Sequence, residues 1–289
     1  SLGVDMAGHM LAVARARRVG RGQAPVNPVH LIRVPKGGSS SLSIVVRRLA
    51  GCQPWGPCCK WPGAPPGSCP KKGLLCPQVI GCTHHKPHWQ AFADPKVPSI
   101  TMVREPVSRA ISAFWYAGIH SNKATCRGRS TEQCFAEYTK DARFRNVATK
   151  LLTGVYAYAG VSTCSDGCGH SAAAAARNAR AMAFVGVSEL WELSLLLFHH
   201  DFPTLPPLEE EFRLHDKTAK GGRRNASPAY EMSRKRWPQE FSKQLALQNA
   251  HDQVLYAAAV DLLCERVRAA GLWDAVVGAY WAAKMPARP

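Results

Sequence analysis

Acidic side chains are in short supply in this sequence: 20 Asp and Glu stand against 37 Lys and Arg, a net charge of +17 over 289 residues. Such a surface favours polyanionic partners (nucleic acid, anionic lipid or an acidic glycan), although basic surfaces also simply aid solubility. No DNA- or RNA-binding motif accompanies the charge, so the nucleic-acid class has no second support. Long apolar runs are missing too, and no stretch approaches the ~18 residues of a bilayer span. The opening SLGVDMAGHMLAVARARRVGRG lacks a signal-peptide pattern. Internal repeats are absent. So is the phosphate loop G-x-x-x-x-G-K-[ST], which removes the usual triphosphate-binding arrangement.

What is present argues for a packed protein. Hydrophobic residues make up 46% of the chain, charged residues only 20%, and there are eight tryptophans, which excludes a disordered chain. This length can bury one large core or two small ones. The 11 cysteines are Cys52, Cys58, Cys59, Cys69, Cys76, Cys82, Cys126, Cys134, Cys164, Cys168 and Cys264. Most lie in Pro/Gly-rich, loop-like sequence, as stapled loops of an oxidising compartment do. An odd count leaves at least one thiol unpaired or paired between chains.

Apolar periodicity sets the order of elements. Residues 1–27 read as a basic lead-in, partly helical. Val29–Val34 predicts a strand and Ser40–Leu49 the helix after it. Residues 51–76 form a Cys/Pro/Gly-rich excursion without regular structure. Short strands are expected over 77–82 and 97–103. The segment REPVSRAISAFWYAG (104–118) predicts a helix with Pro106 in its first turn and Gly118 closing it. Helices follow over Thr131–Asp141, Arg145–Leu152 and Ser171–Ala181, then a strand over 182–187. Ser188–His200 predicts a helix capped by Ser188, with Glu189 and Glu192 in its first turns. A Pro- and charge-rich linker (203–228) precedes helices over roughly 230–270 and 272–284. Strands alternating with helices predict an α/β fold with a central, mostly parallel sheet.

Two segments carry chemistry. In HLIRVPKGGSSSLSIVVRRL (30–49), a strand runs into Pro35-Lys36-Gly37-Gly38 and three serines before a helix begins. Glycines admit close backbone approach, hydroxyls donate, and Lys36 supplies a cation, a combination suited to phosphate or sulfate. In TMVREPVSRAISAFW, Arg104 ends a strand, where open α/β sheets bind their ligands, and Ser112 lies about two helical turns on. Ser108 and Arg109 are nearby alternatives, and an Arg104–Glu105 surface ion pair is the plainer reading.

Together the two segments resemble the PAPS-dependent sulfotransferases. RVPKGGSSSL is similar to the family's P-K-T-[GA]-[GS]-T-S loop, and VREPVSRAISAFW to its R-D-P-V-S-R-x-x-S segment, in the same order. NVATKLLTG, ARNARAMAFVGVSELWELSLLLF and NAHDQVLYAAAVDLL are similar to the heparan sulfate 6-O-sulfotransferase group. The likeness runs over roughly residues 29–270 and is weakest over 51–76 and 203–228. It implies one sulfotransferase domain over 28–286, a P-loop-like three-layer fold with a helical C-terminal part. It further implies that Lys36, Gly37, Gly38, Ser39, Ser40 and Ser41 hold the 5′-phosphosulfate of PAPS, and Arg104 and Ser112 its 3′-phosphate, with PAP as product. Gly37 departs from the usual threonine and Glu105 from the usual aspartate.

Sulfuryl transfer is an in-line displacement that needs positioning, a base for the attacking hydroxyl and charge neutralisation at the leaving phosphate. Lys36 suits the last task. CTHHKPHW offers His84, His85 and His88 as bases. The 6-O group places a histidine after C-x-x-H and before a tryptophan; Cys82-Thr83-His84-His85 with Trp89 matches, with one extra residue, which implies His85. Cys82 with these histidines also has the makings of a zinc site, though its spacing is irregular. The expected acceptor is a polysaccharide or other acidic glycan, favouring a heparan-sulfate-like 6-O position, with no nucleic-acid partner. A metabolite or tyrosine hydroxyl, or an inactive PAP- or glycan-binding protein, are the alternatives. A nucleotide kinase is disfavoured by the missing Walker lysine and the lack of an evident Mg²⁺-binding carboxylate by the loop. The resemblance places the protein in the Golgi lumen as a type II membrane protein whose anchor lies outside this chain. The basic stretches 220–224 and 234–236 read either as part of a glycan cleft or as a solvated face, and Asn225-Ala-Ser as a sequon disfavoured by Pro228.

Overall fold

A computed structural model describes residues 6–18, 29–49, 79–80, 98–115, 128–155, 171–203, 207–215 and 239–276. Among the described residues, four strands form one parallel sheet: β1 (Val29–Ile32), β2 (Val79–Ile80), β3 (Ser99–Val103) and β4 (Phe184–Val187), in the order β2-β1-β3-β4. Leu31 sits opposite Ile100, and Ile100 opposite Phe184. Every residue of β1, β3 and β4 is buried. That is the signature of parallel strands covered on both faces, and it explains their near-continuous apolar runs. Among the polar exceptions, the Thr101 hydroxyl donates to the Ile32 carbonyl at 2.9 Å across the β1–β3 boundary.

Helices supply the cover. They are α1 (Met6–Arg18), α2 (Ser39–Leu49), α3 (Pro106–Ala113), α4 (Thr131–Lys140), α5 (Val147–Leu152), α6 (Ala172–Ala181), α7 (Trp191–Asp201), α8 (Glu209–Phe212), α9 (Gln239–Gln248) and α10 (Ala250–Ala269). The protein is mostly helical around a small parallel sheet, as the α/β reading expects. α10 packs on α6 and β4, and α1 on α7. The stretch read as a basic lead-in thus adds Met10, Leu11 and Ala14 to the main core. A second cluster joins Ala110, Ile111 and Phe114 to Phe135, Tyr138 and Leu245, with the Phe114 and Phe135 rings edge to face at 5.1 Å.

Two predicted features are corrected. The helix expected over 230–270 breaks at Asn249, between α9 and α10. Asn249 is buried because its Oδ1 accepts from Arg109 at 3.1 Å and from the Asn146 amide at 3.0 Å, tying the break to two other segments. Ser188 does not cap the helix that follows: it opens a 3₁₀ turn (Ser188–Leu190), and α7 starts at Trp191 without a side-chain cap. Its hydroxyl has a more distant acceptor, described below. The expected helix stop at Gly118, the 51–76 excursion and the basic stretches at 220–224 and 234–236 lie outside the described residues.

Candidate functional site

The loop after β1 is built by backbone geometry that few residues accept. Lys36 has φ +61° and Gly38 φ +81°, both in the left-handed region. For a lysine that conformation costs about 1–2 kcal/mol, the kind of strain that collects at functional sites. The Gly37 amide donates to the Val34 carbonyl at 3.0 Å, and the Gly38 carbonyl accepts from Ser41 and Leu42 at 3.0 and 3.1 Å, which starts α2. The first amides of a helix have no intrahelical acceptor, so the Ser39–Ser40 turn presents N–H groups, and the positive end of the helix dipole, at the sheet's C-terminal edge.

Gly37 has a steric reason to be glycine. A Cβ there would stand 2.9 Å from the Met102 carbonyl oxygen and 3.0 Å from the Val34 Cβ. The loop therefore packs backbone to backbone against the end of β3, two residues before Arg104. Burial and the positive charge of Arg104 together push the Lys36 ammonium down to about 8. The two cations singled out from separate motifs are neighbours in space.

Arg104 and Glu189 form an ion pair, Nε to Oε1 at 3.7 Å, with 21% and 35% of their side chains exposed, so the pair is open to a ligand. The other Glu189 oxygen accepts from the Glu105 amide and from the Tyr256 hydroxyl, each at 3.2 Å. Burial pushes the Glu189 carboxyl up, partly opposed by Arg104. Burial and Glu189 push the Tyr256 phenol well above its ordinary range. One residue earlier, the Ser188 hydroxyl donates to the Gly37 carbonyl at 2.7 Å. Segments following β1, β3 and β4 thus meet at one edge of the sheet.

The Arg104 segment keeps its two arginines apart. Glu105 caps α3, its carboxylate accepting from the Val107 and Ser108 amides at 2.9 and 2.6 Å, so the longer acid still serves as the cap. Ser112 lies on the half-buried face of α3 with Ser108 one turn before it. Arg109 points into the fold. It donates to the Phe144 carbonyl at 3.2 Å and to Asn249, and faces Asp252 at 3.7 Å, both ionic side chains being 1% exposed. Of the two candidate arginines, only Arg104 stands at the sheet edge.

Ser188, Glu189 and Tyr256 escaped sequence reasoning. The first two directly follow a buried parallel strand, the same signal that singled out Arg104; Tyr256 carries no local signal. His84, His85, His88 and Cys82 lie outside the described residues, as do the Ser39 and Ser40 side chains. Among the described residues, no group of three or more His, Cys, Asp or Glu is placed to hold a metal, and no helix is long and apolar enough to cross a membrane. Cys134 is disulfide-bonded and Cys264 is a free thiol. No protein-family model matches this chain, and no curated protein matches it in sequence.

Proposed function

We propose that this chain is a PAPS-dependent sulfotransferase with a P-loop-like nucleotide site, transferring a sulfuryl group to a hydroxyl of an acidic glycan. One observation carries the proposal: Lys36 and Arg104, from two motifs far apart in sequence, sit together beside a helix N-terminus at the C-terminal edge of a parallel sheet. Two cations and a helix N-terminus at one sheet edge attract an anion. Gly37 and Gly38 pack directly on Met102, Val34 and Ser188, which holds the loop's backbone in place beside the two cations. PAPS supplies the activated sulfuryl group. The acceptor oxygen bonds to sulfur while the bond from sulfur to the phosphate oxygen breaks. In this proposal His85 takes the hydroxyl proton, and Lys36 faces the charge that develops on the leaving phosphate. Loop amides and Ser41 hold the 5′ end, and Arg104 with Ser112 the 3′-phosphate. The acceptor class rests on the +17 charge and on the resemblance to the 6-O-sulfotransferase group.

The test has two arms. PAP at a hundredfold excess over its Kd raises the Tm by about 5 °C or more, as expected for ligand linkage in a chain of this size. Labelled sulfate then passes from PAPS to a polysaccharide, and His85→Ala abolishes transfer while keeping the PAP-induced shift. Absence of any shift with the unaltered protein removes the nucleotide site; a His85→Ala variant with near-normal turnover removes the assigned base.

A further inference from the structure

Arginine reaches a ligand with a long, rotamer-rich side chain, and an unanchored guanidinium loses that freedom on binding. Here the anchor is visible. Glu189 meets Arg104 through Nε, the atom furthest from the tip of the fork. Glu189 is itself held on both sides, by the Glu105 amide from the β3–α3 junction and the Tyr256 hydroxyl from α10. Its backbone is fixed by the adjoining Ser188, whose hydroxyl reaches the Gly37 carbonyl. A side chain added at Gly38 would run into that hydroxyl, so the two segments are packed as one unit. Glu105 in turn accepts from Gln253 of α10 at 3.4 Å.

We infer that Glu189, held by Tyr256, is a positioning residue that aims Arg104 at the 3′-phosphate of the nucleotide and so sets selectivity for a 3′-phosphorylated ligand. The inference rests on the proposed nucleotide site. A carboxylate beside an anion site also repels the anion, so the two effects must be weighed. Each Glu189 oxygen already faces a donor or cation: Arg104 on one, the Glu105 amide and Tyr256 on the other. These partners absorb much of its field. Removing its charge takes away the acceptor that meets Arg104 Nε and leaves the repulsion of Lys36 in place. Positioning therefore outweighs repulsion.

The readout is the ratio of affinities for PAP and adenosine 5′-phosphate, which lacks the 3′-phosphate, measured by calorimetry on the full chain. Glu189→Gln keeps the acceptor for Glu105 and Tyr256 but drops the ion pair. It weakens PAP binding about tenfold, the size of one charge-assisted contact, and changes adenosine 5′-phosphate less than twofold. Tyr256→Phe moves the ratio the same way by about threefold and guards against a Glu189 variant that fails to fold. A variant that binds PAP as well as or better than the unaltered protein overturns the inference, because the carboxylate then merely opposes the anion. Equal weakening of both ligands overturns it as well, since that reports general damage. If the unaltered protein binds no PAP, the nucleotide reading itself fails, and the inference with it.

Discussion

The sharpest prediction concerns the protonation of Lys36. Its ammonium is held near pKa 8 by burial and by Arg104 in the unliganded protein, and only the charged form attracts a phosphosulfate. A bound polyanion reverses both causes, so the ligand binds the protonated form and keeps it protonated. At pH 7.5 about three quarters of the protein carries the charge; at pH 9.5 about 3% does. The apparent Kd for PAP therefore rises about 25-fold over that interval, and binding at pH 8 takes up about half a proton. Phosphate groups titrate near pH 6 and stay out of this window.

Calorimetry in two buffers of different ionisation enthalpy measures both quantities. Lys36→Arg keeps a charge that does not titrate here, so its affinity stays level from pH 7.5 to 9.5. A flat profile in the unaltered protein, or an unchanged slope in Lys36→Arg, refutes the reasoning. Folding carries the same signature with opposite sign. Lys36 titrates near 8 when folded and near 10.4 when unfolded, so between these values the unfolded chain binds more protons. Stability of the unliganded protein rises with pH across that window on this group's account, and the rise vanishes in Lys36→Met.

Two substitutions separate the site from its supports. Gly38→Ala places a methyl on the Ser188 hydroxyl at φ +81°, costing about 2–3 kcal/mol in strain and the lost Ser188–Gly37 bond. A drop of about 6 °C in Tm with loss of PAP binding is expected; an unaltered melting curve would show that the loop is not packed as described. Arg109→Met strands the buried Asp252 carboxylate, which still accepts from the Ala148 and Thr149 amides at 3.2 and 2.8 Å. Urea denaturation should show a loss of about 3 kcal/mol, largely recovered in Arg109→Met/Asp252→Asn, with PAP affinity unchanged. Lost affinity without lost stability would make Arg109, not Arg104, the ligand group.

How much of this was legible in the sequence depends on how local its cause is. The runs 29–34, 97–103 and 182–187 read as strands because residues buried on both faces must nearly all be apolar, and β1, β3 and β4 lie inside them. Lys36 and Arg104 were found for a similar reason, as each follows such a run where ligands meet a parallel sheet. Ser188 was misread as a cap because a serine ahead of a helix has a good local option. The Gly37 carbonyl that wins its proton lies 151 residues away. Asn249 likewise sits inside a helical pattern, and only its bonds to Arg109 and Asn146 explain the break. Gly37 departs from the resembled loop's threonine for a cause invisible in sequence: the approach of the Met102 carbonyl makes glycine the residue that fits.

The contrast between Arg104 and Arg109 shows how one short segment sorts two identical side chains into different duties. β3 ends at Val103, Glu105 turns its carboxylate back to cap the next helix, and Pro106, with φ fixed and no amide to leave unpaired, opens α3. Position 104 therefore falls on the first residue past the strand, where the chain leaves the sheet beside Lys36 and the β4 segment. Position 109 falls one turn into α3, on the face that packs inward with Pro106 and Ala110. An arginine there is trapped in apolar surroundings unless anions and carbonyls come to it, and Asp252, Asn249 and Phe144 do. Because α10 carries both Asp252, which fixes Arg109, and Tyr256, which braces Glu189 against Arg104, one turn of that helix serves the core and the site at once. Changes along that turn of α10 should therefore reach the proposed nucleotide site through Glu189 and stability through Asp252, two effects that the PAP ratio and the urea midpoint read separately.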